Sequence, residues 1–195
     1  MSDKVILTDV DGVLLDWRSV MDDWLDEKGY IRNEVYGQTW DMSGDYNMSE
    51  SDMHKLIVEF SDSSAIGYLH PLPHAVENVK KLAAKGYTFI ALSAVSNNIH
   101  TGMARADNLY NWFGDVFEEV ICIDTGASKD RDLMVLAQHY PGAYWIEDHV
   151  VNLESGIRHG LRGILMLDTH SQDYEGTTAE SWKDVLDIIT EREDK

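Results

Sequence analysis

Short apolar runs rich in β-branched residues recur along the chain, and each is followed by a stretch in which apolar positions return every three or four residues. The runs read as strands at residues 5–8, 88–93, 116–123, 143–146 and 163–167. The helical period is clearest in AVENVKKLAAKG, where Val76, Val79, Leu82 and Ala83 share one face and Gly86 follows as a C-terminal cap. Further helical patterns cover residues 99–113, 130–139 and 152–159, the last closed by Gly160, and a final one covers residues 182–192. Strands alternating with helices predict an α/β fold with a five-stranded parallel sheet covered on both faces. Ligands of such sheets collect outside the carboxyl ends of the strands.

Residues 17–69 break this rhythm. Helical patterns at residues 17–28 and 50–60 flank a polar passage, YGQTWDMSGDYNMS, and Pro71 and Pro73 mark the return. The pattern predicts a core made of residues 1–16 and 70–195, with residues 17–69 as a small helical subdomain over the strand ends. Eight aromatic residues fall in the insertion: Trp17, Trp24, Tyr30, Tyr36, Trp40, Tyr46, Phe60 and Tyr68. They serve either as its core or as stacking faces for a ring, and Trp17 and Trp40 are the candidates on the substrate side.

A chain of 195 residues with 44% hydrophobic content holds one domain with a modest insertion. Its formal charge of -19 narrows the partners. So acidic a surface repels nucleic acid polymers and anionic membranes, while one small anion can still be held by a locally placed cation. The single cysteine, Cys122, excludes an intrachain disulfide and a cysteine-based zinc cluster, and is expected to pack in a buried strand, VICID. No leader pattern precedes the first strand and no apolar run nears the ~20 residues that span a bilayer, so a soluble, cytoplasmic protein is expected.

Following each strand to its carboxyl end yields the candidate chemistry. The first delivers Asp9 and Asp11, in VILTDVDGVLLDW; the second delivers Ser93 and then Ala94, in ALSAVSNN; the fourth delivers Glu147 and Asp148, in WIEDHVVN. Lys129 opens the helix between the third and fourth strands. Each alone is ordinary: an Asp pair before Gly12 makes a turn, Ser93 a loop hydroxyl, Lys129 a solvated side chain, and Glu147-Asp148 an acidic helix start. Together, four carboxylates, a hydroxyl and an ammonium converge on one edge. So many carboxylates repel unless a cation neutralises them, and oxygen ligands without Cys or His favour magnesium. Lys129, Ser93 and the neighbouring backbone amides then suit phosphate oxygens. Two carboxylates in one turn can divide labour: one attacks phosphorus, and the other, raised in pKa by like-charged neighbours, donates a proton to the leaving oxygen.

The ordered set Asp9-Val-Asp11-Gly12-Val13, Ser93, Lys129 and Glu147-Asp148 with Asn152 resembles the four motifs of the haloacid dehalogenase superfamily, across the whole chain except the insertion. DVDGVLLDW and YLHPLPHAVENVKKLAAKGY make the chain similar in outline to that superfamily's 5'(3')-deoxyribonucleotidases. The resemblance implies a three-layer, Rossmann-like core with a helical cap between the first two motifs. It implies Asp9 as the nucleophile that forms an aspartyl-phosphate and Asp11 as general acid, then base. Asp9, the Asp11 carbonyl and Asp148 hold magnesium, with Glu147 acting through water, while Ser93, Ala94 and Lys129 bind the transferring phosphoryl group. An aspartate two residues after the nucleophile argues for ester hydrolysis rather than dehalogenation. The pair Glu147-Asp148, in place of Asp-Asp, also occurs in phosphomutase-like members, which leaves mutase chemistry open.

The implied activity is a magnesium-dependent phosphatase for a small phosphorylated metabolite, a nucleoside monophosphate or a sugar phosphate. The insertion, with eleven acidic residues against four basic ones, disfavours long polyanions. A receiver-like phosphate switch is the rival from another class, and the place of the phosphoacceptor after the first strand argues against it. A degenerate, binding-only relative is the second rival; the matched positions are chemically intact. His70 and His74 have metal-ligand spacing, but the intervening prolines spoil a shared face, and His149 reads as a loop histidine beside the metal.

Overall fold

The computed structural model describes residues 4–33, 41–168 and 173–193. Its sheet contains β1 (Val5–Thr8), β2 (Thr88–Ser93), β3 (Phe117–Cys122), β4 (Tyr144–Glu147), β5 (Arg162–Met166) and β6 (Thr178–Ala179). They lie in the order β3-β2-β1-β4-β5-β6, every neighbouring pair parallel. The sheet therefore has six strands where the hydrophobic pattern predicts five. The sixth is two residues long, too short to display a period.

The helices are α1 (Trp17–Glu27), α2 (Glu50–Ser61), α3 (Ala75–Ala84), α4 (Ile99–Phe113), α5 (Asp130–His139), α6 (Val150–Arg158) and α7 (Trp182–Glu193), with 3-10 turns at Gly44–Tyr46 and Ser64–Tyr68. Alternation along the central strands sorts side chains to two cores. Val5 and Leu7 join Leu92, Trp145, Leu133 of α5 and Leu153 of α6 on one face. Ile6, Phe89 and Ile146 join Val79 and Leu82 of α3, Leu109 of α4 and Val185 of α7 on the other. With both faces covered, β1, β2 and β4 are almost wholly buried, as their unbroken apolar runs require. The exception is β3, an edge strand whose Glu118 and Glu119 face solvent and guard against further pairing. Cys122 at its end is consequently half-buried rather than buried as expected.

The insertion leaves and re-enters the core through two chain segments tied to each other. Leu15 pairs antiparallel with Pro71, the Asp16 N–H donates to the His70 carbonyl at 2.8 Å, and the Leu72 N–H to the Leu14 carbonyl at 2.9 Å. Asp16 caps α1 through the Ser19 N–H, and Ser49 caps α2 through the Asp52 N–H, each at 3.1 Å. Phe60 sits edge-on to Trp17 at 5.7 Å and to Trp24 at 5.6 Å. The Tyr46 hydroxyl donates to buried Asp22 at 2.7 Å, and these residues run on from the core cluster of the sheet. Aromatic residues of the insertion thus divide: Tyr30 and Tyr68 are exposed, whereas the four just named pack together.

Candidate active site

The order of the strands reverses on either side of β1, so a crevice opens at the carboxyl ends of β1, β2 and β4. Past Thr8 the ladder continues for one bond, Asp9 N–H to the Ile146 carbonyl at 2.8 Å. The chain then turns sharply, the Val10 carbonyl accepting the N–H groups of Leu14 and Leu15 at 2.8 and 2.9 Å. From the far end of the sequence, the buried Trp182 indole donates to the Val13 carbonyl at 2.7 Å and fixes the turn in place. Gly12 has φ +76°, and a Cβ at this position would overlap the Asp148 carboxylate. Only glycine allows the turn and that approach together. Gly12→Ala is expected to cost about 1–3 kcal/mol and to displace Asp148, weakening the affinity of the trio for a divalent ion about tenfold or more. Urea unfolding and the rise in Tm on titrating a divalent ion measure the two effects.

Asp9, Glu147 and Asp148 are all buried, each offering an oxygen within 4.8 Å of the others. Lys129, also buried, lies between two of them, its Nζ 2.7 Å from Asp9 Oδ2 and 2.8 Å from Glu147 Oε2. The other Asp9 oxygen accepts the Val10 N–H at 2.7 Å, and the other Glu147 oxygen accepts the His149 N–H at 3.1 Å. Glu147 thereby has both oxygens engaged by the protein, and it orients Lys129. Burial, then repulsion from Glu147, pushes the Asp9 carboxyl well above the carboxylate range, against the pull of Lys129. Burial and the charges of Glu147 and Asp9 do the same to Asp148. Glu147 moves the other way: burial opposes its ionisation, but the attraction of Lys129 prevails and holds its carboxyl low. Burial likewise disfavours the Lys129 charge, yet Asp9 and Glu147 overcome it and keep the ammonium protonated. Were all three carboxyls ionised, the one ammonium among them would leave two buried negative charges uncompensated. A divalent cation of hard-oxygen preference fits that deficit and that donor set.

Asp11 stands apart from the cluster. Its carboxylate accepts from the Ser93 hydroxyl at 3.3 Å and from Arg105 Nη2 at 2.8 Å, with its second oxygen 2.7 Å from the same nitrogen. Ser93 is buried at the end of β2, and the partly exposed Ala94 follows in the turn, its carbonyl accepting the Gly126 N–H at 3.4 Å. Arg105, fully buried on α4, is absent from the residues that the sequence points to. An arginine on an amphipathic helix reads as solvated; its one signal is a place four residues after Thr101 and three before Asn108, both polar and both buried.

The remaining candidates sort simply. Trp17 opens α1 and is partly buried against Phe60, whereas Trp40, with Tyr36, lies outside the described residues. Asn152 offers its carbonyl to the Trp145 indole at 3.2 Å. Among the described residues no metal-like cluster includes His70, His74 or His149. His70 stacks edge-on to Trp112 at 6.2 Å, and His74 takes a left-handed conformation at the start of α3. Burial pushes the Cys122 thiol up, with the Arg105 charge pulling it partly back.

Comparison with known proteins fits this geometry. The family model described as "5' nucleotidase, deoxy (Pyrimidine), cytosolic type C protein" matches residues 3–193. A 32.4 kDa uncharacterized protein of the Gp30-rIII intergenic region of enterobacteria phage T4 is 28% identical over 148 residues, 73% of this chain and 53% of that protein. The chain thus spans about half the length of that curated relative. Among solved structures, a haloacid dehalogenase-like hydrolase, SP0104 from Streptococcus pneumoniae, superposes with a TM-score of 0.70 at 15% identity, covering 97% of this chain and all of that one. A D,D-heptose 1,7-bisphosphate phosphatase from B. bronchiseptica, complexed with magnesium and phosphate, gives a TM-score of 0.59 at 13% identity over 97% and 99% of the two chains. These likenesses establish the haloacid dehalogenase fold and bear out the three-layer core.

Proposed function

The chain belongs to the deoxy (pyrimidine) 5' nucleotidase family, cytosolic type C, within the haloacid dehalogenase superfamily, and from that membership we propose that it is a magnesium-dependent phosphatase of nucleoside monophosphates. The observation that carries the reading is the buried trio Asp9, Glu147 and Asp148 with Lys129 among them, two positive charges short of neutrality when ionised, at the mouth of a parallel sheet. Asp9, Asp148 and the Asp11 carbonyl would hold magnesium, which when bound would supply charge neutralisation and polarise the phosphoryl group. The magnesium and phosphate of the heptose bisphosphate phosphatase structure agree with that choice.

The chain's own groups then divide the reaction. The Asp9 carboxylate attacks phosphorus, forming the acyl-phosphate bond as the ester P–O bond breaks, and the leaving oxygen takes a proton from Asp11. Lys129 and Ser93, with the amide following Ser93 at Ala94, stabilise the phosphoryl oxygens. Water next attacks phosphorus, passing its proton to Asp11; the P–O bond to Asp9 breaks, releasing inorganic phosphate and restoring the carboxylate. Residues 17–69 act as the cap that selects the substrate, with Trp17 and Trp40 offering ring faces to the base. The acidity of the insertion supports a small monoester over a polymer.

Phosphate release from a generic aryl phosphate, with magnesium and with chelator, tests the chemistry, and a panel of deoxynucleoside and nucleoside monophosphates against sugar phosphates tests the substrate. The expected result is metal-dependent release, with a nucleoside monophosphate giving the highest kcat/KM. No release from any ester by the folded protein overturns the reading. A preference for sugar phosphates leaves the phosphatase standing and replaces its substrate.

A further inference from the structure

On α4, four side chains able to donate hydrogen bonds recur on one face: Thr101, Arg105, Asn108 and Trp112. Three of them bind the segment that returns from the insertion. The Thr101 hydroxyl reaches the Ser61 carbonyl at 3.2 Å and Asp62 Oδ1 at 2.9 Å, while Asn108 and Trp112 both donate to the Leu69 carbonyl, at 3.1 and 3.0 Å. The helix is thus pinned on either side of Arg105. Arg105 itself reaches past that segment to Asp11, its one carboxylate partner among the described residues.

We infer that Arg105 is a positioning residue for the reaction: through Nη2 it fixes the Asp11 carboxyl group in the orientation from which its proton meets the leaving oxygen. This inference rests on the phosphatase reading, in which Asp11 is the proton donor. One observation sets Arg105 apart from an arginine kept for stability. Its Nε and Nη1 are buried without a hydrogen-bond partner among the described residues, although native structures seldom leave such donors unmet. Apolar side chains of similar volume in place of both members of a buried ion pair often serve stability as well. What the guanidinium does engage is one carboxyl group of the catalytic turn. The Ser93 hydroxyl, 3.3 Å from the same Asp11 oxygen, is given up to the phosphoryl group in the reaction, so Arg105 is the donor that keeps holding Asp11. Misplacing a reacting group by about 1 Å can cost about a hundredfold in rate.

The test is the dependence of kcat/KM on the leaving group, because kcat/KM reports the steps through the first irreversible one and so isolates phosphoryl transfer to Asp9. Wild type, R105M and R105K are compared in magnesium on 2,4-dinitrophenyl phosphate, phenyl phosphate, a simple alkyl phosphate and deoxynucleoside 5'-monophosphates. Dinitrophenolate leaves without a proton, whereas an alkoxide needs one. R105M is expected to lose about a hundredfold on the alkyl and nucleoside esters and less than about threefold on the dinitrophenyl ester, with R105K between. Equal losses on every ester, or none, overturn the inference, since a merely structural role lowers all rates alike. If wild type itself hydrolyses no ester, the phosphatase reading fails first and takes this one with it. Urea unfolding establishes that each variant is folded, and R105K carries the comparison if R105M is not.

Discussion

Asp9→Asn is expected to lower kcat by about 10⁴-fold or more while leaving the metal-free protein as stable as wild type, or more so, at pH 7. The amide cannot form the acyl-phosphate, so turnover through this residue ends. The effect on stability follows from burial. Asp9 titrates near pH 4 in the unfolded chain and well above its ordinary value in the folded one. A carboxyl raised in this way contributes stability that is complete below the unfolded value and is lost as pH climbs through the folded one. At neutral pH the metal-free Asp9 carboxyl therefore works against folding, and the neutral amide lifts that load. Three results are expected together: no turnover, a flatter stability profile above pH 4, and a smaller rise in Tm on adding magnesium than wild type shows. Calorimetry with and without magnesium, beside a phosphate-release assay, reads all three, and substantial residual turnover would mean that another group is the nucleophile.

What the sequence disclosed depended on where each strand lies. β1 and β2 end where their apolar runs end, because central parallel strands buried on both faces have no polar side to blur the edge. β4 and β5 begin and end within one residue of the expected limits, and β3, an edge strand with glutamates outward, misled only about the burial of Cys122. α6 begins at Val150, two residues before its expected start, since the chain turns into the helix directly after the acidic pair. Asp9, Lys129, Glu147 and Asp148 were legible because each stands at a strand end or helix start, where chain order alone predicts convergence. Their hydrogen-bond partners were not. That both oxygens of Glu147 are taken, one by Lys129 and one by the His149 amide, is a matter of side-chain distance. Arg105 was hidden for the same reason: it is mid-helix, and only the packing of α4 against the returning segment brings it to Asp11.

Lys129→Met puts the largest burden on the fold itself. In wild type the ammonium is, among the described residues, the one cation paired directly with Asp9 and Glu147, at 2.7 and 2.8 Å, and its side chain is 2% exposed. Removing one partner of a buried ion pair leaves an uncompensated charge and costs about 3–5 kcal/mol, a large share of the 5–15 kcal/mol by which domains are stable. The pH dependence distinguishes this from simple loss of packing. Glu147 is held low by Lys129, so in wild type it contributes stability that is present above its unfolded value and lost as pH falls through the folded one. Without the lysine, burial pushes Glu147 upward against only its remaining hydrogen bonds, and Asp9 and Asp148, already raised, lose the same opposing charge. The metal-free variant is then expected to be more stable near pH 5 than near pH 8, with a steeper slope than wild type, and to recover part of the loss when magnesium replaces the missing positive charge. Turnover should remain lower by about 10²–10³-fold even with magnesium saturating, because the phosphoryl oxygens have lost a donor that the metal does not replace. Urea denaturation at the two pH values, with magnesium and with chelator, measures the first effect. A variant as stable as wild type at pH 8 without metal would show that Lys129 does not neutralise this cluster.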